Sequence, residues 1–401
     1  MAISTRIEAM MESASWVRRM FEEGQRLKAR FGAENVYDFS LGNPVSEPPA
    51  EFNRILRELA EDPRPGRHRY MSNAGFFGVR QAVAATLSAQ HGLEVQPQEI
   101  VMTCGAAGGL NVCFKALLDP GDEVVVPSPY FAEYGFYCDN HGGRLVPVAS
   151  AKDFSLDLAA IGAALGPRTK AVLINSPHNP TGQVYTERQI RALGGLLEAA
   201  SKKYLRTIYL LSDEPYRRLL YGRTPVPSVL AHYPSSLVVY SYSKELSIPG
   251  ERIGYVAVNP GCQEKERLAA ALSLANRVLG FVNAPALMQR VVAALKDFKP
   301  DLRELRANRE TLCRGLLDAG YEFLKPKGGF YVFPRSPLTD DLEFCRRLAE
   351  EHILCVPGRG FGAPGYFRIA FCVEGERIER ALPYFARAMK AGLKKPRRKG
   401  L

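Results

Sequence analysis

The chain has 401 residues, 46% of them hydrophobic and 24% charged, the balance of a globular protein too long for one ordinary core. No apolar run approaches the roughly 18 residues of a membrane span, and MAISTRIEAMMESASWVRRMF lacks the apolar centre of a signal peptide, so a cytoplasmic protein is expected. Net charge is +11, yet five of the cations (Lys394, Lys395, Arg397, Arg398, Lys399) lie in the terminal KKPRRKG, which reads as a frayed tail and not as a nucleic-acid site.

Residues from about 4 to 30 carry a helical pattern (Ile7, Met10, Met11, Val17, Met20, Phe21), stopped by Phe31-Gly32. VYDFSLGNP follows as a short strand running into a Gly-Asn-Pro turn. From residue 79 strands alternate with helices: EIVMTCG, then the helix AAGGLNVCFKALL, then DEVVVPSP, RLVPVAS, KAVLINSP, RTIYLLSDEP, SLVVYSYS and RIGYVAVN. Glu187 to Lys202 reads as one of the intervening helices. Such alternation predicts an α/β fold whose large domain holds a mostly parallel sheet flanked by helices. After about residue 285 the pattern changes to a helix near 300–318, GGFYVFP, a helix near 341–351, the strand YFRIAF and a last helix near 375–392. The expected division is a large domain over 50–285, a smaller α/β domain from 1–49 with 286–393, and a basic tail over 394–401. The eight cysteines form no C-x-x-C pair and sit mostly in apolar runs, which predicts reduced structural thiols and no metal centre.

Three of the strands end in polar residues: AVLIN before SPHNPTG, IYLLS before DEPY, and LVVYS before YSK. Ligands of parallel α/β sheets gather beyond the carboxyl ends of the strands, so an asparagine, an aspartate with a tyrosine, and a lysine converge on one crevice. Gly105, Ala106 and Ala107 add a helix N-terminus with free backbone N–H groups, an anion site. A lysine for a Schiff base, a carboxylate for a ring nitrogen, donors for a ring oxygen and a phosphate pocket together describe pyridoxal 5'-phosphate (PLP).

From DFSLGNP to YFRIAF the sequence resembles the fold-type-I aminotransferases of classes I and II, the aspartate aminotransferase superfamily, with its motifs in order. That resemblance implies a seven-stranded mixed sheet in the large domain. It implies Asn179 of NSPHNPTG on the ring oxygen, Asp213 and Tyr216 of SDEPY on the ring nitrogen and ring oxygen, and Lys244 as the Schiff-base lysine. In SYSKELSIPGERIGY it places Ser241 and Arg252 on the phosphate, and in YFRIAF it places Arg368 on the substrate carboxylate. The separations are 34 residues from Asn179 to Asp213, 31 to Lys244, 8 to Arg252 and 116 to Arg368. Tyr130 of PSPYFAEY is expected to stack on the ring, with Phe131 as its competitor. Tyr70 resembles the tyrosine that reaches the phosphate of a neighbouring subunit, which implies a homodimer. Gly42 resembles the glycine beside the substrate carboxylate. Ala107 departs from the family, where a hydroxyl residue is common, and puts one phosphate contact in doubt; Glu251 stands where an aromatic is common, and neither departure touches the chemical core.

The implied reaction is amino transfer between an amino acid, aspartate or glutamate for choice, and a 2-oxo acid. A different PLP reaction on the same scaffold, such as β-elimination or an oxidative or cyclising reaction, is the alternative. His178 is expected to be structural. Arg67, Arg69 and Arg277 are the arginines considered for a distal carboxylate, with no motif selecting one.

Overall fold

The computed structural model describes residues 3–12, 16–223 and 225–393, so the basic tail lies outside the described residues. Its centre is a seven-stranded sheet made of β1 (Ile100–Thr103), β2 (Glu123–Ser128), β3 (Arg144–Ala149), β4 (Thr169–Asn175), β5 (Tyr209–Asp213), β6 (Ser236–Ser241) and β7 (Gly254–Val258). The strands lie in the order β1-β7-β6-β5-β4-β2-β3. All neighbours are parallel except those involving β7, which runs against both β1 and β6. Each of the seven corresponds to one of the apolar runs read from the sequence.

Apart from the edge strand β3, which is exposed or half-buried along its length, these runs are nearly continuous in apolar residues because both faces of the sheet are covered. Alternate side chains then divide between two cores. Val125, Val172, Ile174, Leu210, Val238 and Ala257 join one. Val124, Val126, Ala171, Leu173, Leu211, Leu237, Val239 and Val256 join the other, with Leu110 and Phe114 from the helix Gly105–Leu117. The helix Glu187–Tyr204 starts at a capping box, in which Thr186 Oγ1 accepts from the Gln189 amide at 3.3 Å and Gln189 Oε1 accepts from the Thr186 amide at 3.0 Å.

A third core surrounds a small antiparallel sheet whose middle strand, Phe367–Ala370, pairs with Tyr331–Val332 and Val356–Pro357. Leu312 and Leu316 of the helix Arg303–Asp318 and Ile378, Ala381 and Phe385 of the helix Gly375–Leu393 fill it. Tyr37 and Phe39 from the N-terminal segment complete it, with the Ala370 amide donating to the Phe39 carbonyl at 2.9 Å. One helix falls on the other side of the expected boundary. Met288, Val291 and Val292 of Ala286–Ala294 pack in the first core, so the chain leaves the large sheet's layers about ten residues after 285. All eight cysteines are free thiols, seven of them buried. Among the described residues no helix is long and apolar enough to cross a membrane.

Candidate active site

In-register pairing of β4 with β5 sets Asn175 beside Asp213 at the carboxyl end of the sheet, and Ser241 ends β6 next to them. Asn175 Nδ2 donates to the Asp213 carbonyl at 2.8 Å, and its Oδ1 accepts from the Asn179 amide at 2.7 Å. The asparagine that closes β4 thereby fixes the loop that carries Asn179. Above these strand ends lies a cavity of about 320 Å³, lined by Gly42, Ala106, Ala107, Asn179, Asp213, Tyr216, Ser241, Lys244, Arg252 and Arg368, among others. Residues from four strand ends, a helix N-terminus, the N-terminal segment and the small sheet thus meet in one space.

Lys244 Nζ donates to the Gly42 carbonyl at 2.7 Å. Burial lowers its pKa to about 8, with Cys372 opposing that shift and the charges of Arg252 and Arg368 adding smaller effects in the same direction as burial. With the folded value depressed below the ordinary 10.5, the unfolded chain holds the extra proton between about pH 8 and 10.5, so this group's contribution to stability rises with pH across that window. In cofactor-free protein, reductive methylation of Lys244 followed by peptide mapping is therefore expected to show a rate midpoint near pH 8, well below that of the surface lysines. A midpoint shared with the surface lysines contradicts the burial argument.

Asp213 is buried, and its Oδ2 accepts from the Tyr134 hydroxyl at 2.5 Å. Burial raises its pKa to about 7, with the Tyr134 hydrogen bond pulling the other way and Glu214 adding to the rise. Its Oδ1 is buried without a hydrogen-bond partner. An orphaned carboxylate oxygen facing a cavity is costly unless something with a proton docks there. A protonated ring nitrogen meets that need.

At the opposite end, the helix Gly105–Leu117 begins without a side-chain cap at Cys104, leaving its first N–H groups for an anion. Gly105 has φ +69°, and a Cβ there would lie 2.9 Å from Arg252 Nη2, so glycine lets the guanidinium approach the helix start. The Ser241 and Ser243 hydroxyls lie 2.8 Å apart in the same wall. Ser243 thus brings a hydroxyl to the wall in which Ala107 has none. The residues fit PLP at both of its charged ends.

Arg368 is buried in the middle strand of the small sheet, its guanidinium 4.4 Å from the Tyr331 ring centroid and 4.8 Å from that of Phe361. It donates to Asn179 Oδ1 at 3.0 Å and to the Ser40 carbonyl at 2.6 Å, while its Nε is buried without a partner. Aromatic faces and the fixed bonds hold the fork pointing into the cavity. A Cβ on Gly42 would overlap the Tyr331 hydroxyl, so the backbone can approach only as glycine.

Two of the residues named from the sequence, Tyr130 and Tyr70, are absent from this cavity's wall, as Tyr70 would be if it served a neighbouring subunit. Phe131, not Tyr130, lines the cavity; Tyr130 packs against Gly362, and its amide donates to the Phe361 carbonyl at 2.9 Å. Of the two candidates for the ring face, the one in the cavity wall is thus Phe131, the competitor. Tyr70 is 88% exposed and outside the cavity of its own chain. Three further residues in the wall escaped the sequence reading. Tyr134 holds Asp213, Tyr331 shares a 3.1 Å hydroxyl contact with Tyr216, and Tyr137 lies beside them. The repeat Tyr130-x-x-x-Tyr134 was the only available signal, one helical turn in spacing. His178 is buried with Nδ1 2.8 Å from Thr181 Oγ1, and burial lowers its pKa to about 4, which suits a structural imidazole. Arg67, Arg69 and Arg277 are absent from the cavity lining; Arg67 is bonded to the Ala60 carbonyl at 2.9 Å.

Comparison with known proteins agrees with this chemistry. Residues 33–385 match the family "Aminotransferase class I and II". An aspartate/prephenate aminotransferase of Thermus thermophilus is 32% identical over 96% of this chain and 98% of its own length. The crystal structure of an amino transferase from Eubacterium rectale superimposes with a TM-score of 0.94 at 40% identity, covering 98% of this chain and all of that one. The structure of Thermus thermophilus aspartate aminotransferase with maleate gives a TM-score of 0.86 at 28% identity, covering 97% and 100% of the two chains.

Proposed function

Since the chain belongs to the class I and II aminotransferase family, whose enzymes use PLP, we propose that it moves the amino group of a dicarboxylic amino acid, aspartate or glutamate, to a 2-oxo acid in two half-reactions. The observation that carries this reading is the convergence of Lys244, the unpartnered Asp213 Oδ1 and the Arg368 fork on one cavity.

When bound, PLP supplies an electron sink for the substrate's Cα. Every other part of the task falls to the chain. Asp213, kept in place by Tyr134, holds the ring nitrogen's proton. The helix N-terminus, Ser241, Ser243 and Arg252 bind the phosphate, and Phe131 covers the ring. Asn179 and Tyr216 donate to the ring oxygen. Arg368 grips the substrate α-carboxylate, which orients the Cα hydrogen toward Lys244. Lys244 takes that proton at Nζ, a task for which a neutral amine of lowered pKa is suited near neutral pH. The Gly42 carbonyl, 2.7 Å away, accepts from this amine when it carries no covalent link.

The dicarboxylic preference rests on the relatives, among them the Thermus thermophilus aspartate aminotransferase solved with maleate. We further assign the active form as a homodimer, on the exposure of Tyr70 and of Phe77, Leu274 and Val278, large apolar groups left uncovered in the single chain. A panel of amino donors against 2-oxoglutarate, pyruvate and oxaloacetate tests the substrate reading. Aspartate or glutamate is expected to lead, and exclusive use of aromatic donors overturns it. In the same assay Arg368→Lys, which loses the two-point fork, is expected to lower kcat/KM about 100-fold for every donor. A donor-selective loss would mean that Arg368 reads the side chain instead.

A further inference from the structure

The segment after β5 divides between two sides. Asp213, Pro215 and Tyr216 line the cavity, whereas Glu214, Arg217 and Arg218 are absent from its wall. Arg217 Nη1 lies 2.7 Å from Glu214 Oε2, both side chains buried, and Glu214 Oε1 accepts from Ser212 Oγ at 2.7 Å. Arg217 Nη2 also donates to the Val226 carbonyl at 2.9 Å, so the fork ties the end of β5 to the loop that follows. Arg218 Nη1 lies 2.8 Å from Glu245 Oε2, an ion pair with the carboxylate 2% exposed but without hydrogen-bond alignment at that oxygen, and Arg218 Nη2 donates to the Phe298 carbonyl. Phe298 sits on the stretch between the helices Ala286–Ala294 and Arg303–Asp318, which belong to different cores.

The two acids are the residues that immediately follow Asp213 and Lys244. Two adjacent arginines therefore clamp the two carboxylates next in chain to the two groups that do the chemistry. Buried ion pairs are poor sources of net stability, because desolvation offsets their attraction. Neither pair contacts the cavity. We propose that Arg217 and Arg218 form a paired brace of positioning residues, which holds Asp213 and Lys244 in their mutual geometry through Glu214 and Glu245. Arg218 in addition fixes the Lys244 turn to the stretch that joins the two cores. The brace rests on the proposed PLP chemistry of Lys244 and Asp213, and it explains why the charged pair lies behind each of them. A shift on the order of 1 Å in either group is enough to slow the reaction by about tenfold or more.

The test uses Arg217→Met, Arg218→Met and the charge-keeping Arg218→Lys in the full chain. Cofactor affinity of the stripped protein is measured by fluorescence titration with PLP, and kcat and KM are measured for the best donor. For each methionine variant the brace predicts about tenfold weaker PLP binding and about tenfold lower kcat, with the donor KM within twofold because Arg368 is untouched. Arg218→Lys is expected to recover most of both. A folded methionine variant with wild-type PLP affinity and kcat overturns the proposal, as does a loss confined to KM. Where a methionine variant fails to fold, Glu214→Gln and Glu245→Gln replace it, with the same expected losses and the same overturning result. Failure of the wild-type chain to bind PLP at all would refute the cofactor reading itself, a distinct outcome from wild-type-like variants.

Discussion

Replacing Lys244 by alanine is expected to abolish turnover, a loss on the order of 10⁴-fold, while PLP still binds without a covalent link. The two effects separate because different groups carry them. Asp213 Oδ1, the uncapped start of the helix Gly105–Leu117, Ser241 and Arg252 hold the cofactor's ends and remain in the variant. What disappears is the only amine in the cavity wall among the described residues, the group that takes the proton from the substrate's Cα. Borohydride treatment followed by mass spectrometry checks the first part, since the wild type is expected to gain a fixed adduct and the variant none. Full steady-state activity in Lys244→Ala would sink the assignment of the lysine.

Asp213→Asn has the second largest expected effect. The amide keeps the shape of the carboxyl and can still accept from Tyr134, so the fold holds. It removes the charge that keeps the ring nitrogen protonated, and kcat is expected to fall by about 10²- to 10³-fold, the scale seen when one preorganised electrostatic partner is lost. PLP affinity should weaken as well, because an ion-paired hydrogen bond becomes a neutral one. The structure adds a reason for the size of the effect. Burial already pushes the Asp213 carboxyl up to about 7, so its charge near neutral pH depends on Tyr134 and on a cation at the free oxygen. An Asp213→Asn protein with near-wild-type kcat would show that ring protonation has another source.

The sheet was legible because its inner strands are buried on both faces and read as uninterrupted apolar runs, such as VVV in β2 and VLI in β4, while only the edge strand β3 is partly exposed. The residues at the strand ends were legible for the opposite reason: Asn175, Asp213 and Ser241 are polar groups at the edge of those runs, where a buried ligand explains them. Tyr134 was not legible, since it reaches Asp213 from a short helix 79 residues away and looks like a core aromatic in the sequence. Tyr331 escaped for the same reason, with 115 residues separating it from Tyr216. The choice between Tyr130 and Phe131 was not legible because Tyr130 is drawn off to Gly362 and the Phe361 carbonyl, partners more than 200 residues away. The core that receives the helix Ala286–Ala294 is not legible in the sequence, because its apolar spacing says that one face is buried but not against what.

The central claim is that the amino group is transferred and not released. Incubation of the PLP-loaded enzyme with ¹⁵N-labelled aspartate and unlabelled 2-oxoglutarate, followed by NMR, tests it most directly. The structure predicts ¹⁵N in glutamate in equal amount to the oxaloacetate formed. Label appearing as free ammonia, with no labelled glutamate, would contradict amino transfer and favour an eliminating or oxidising reaction on the same scaffold.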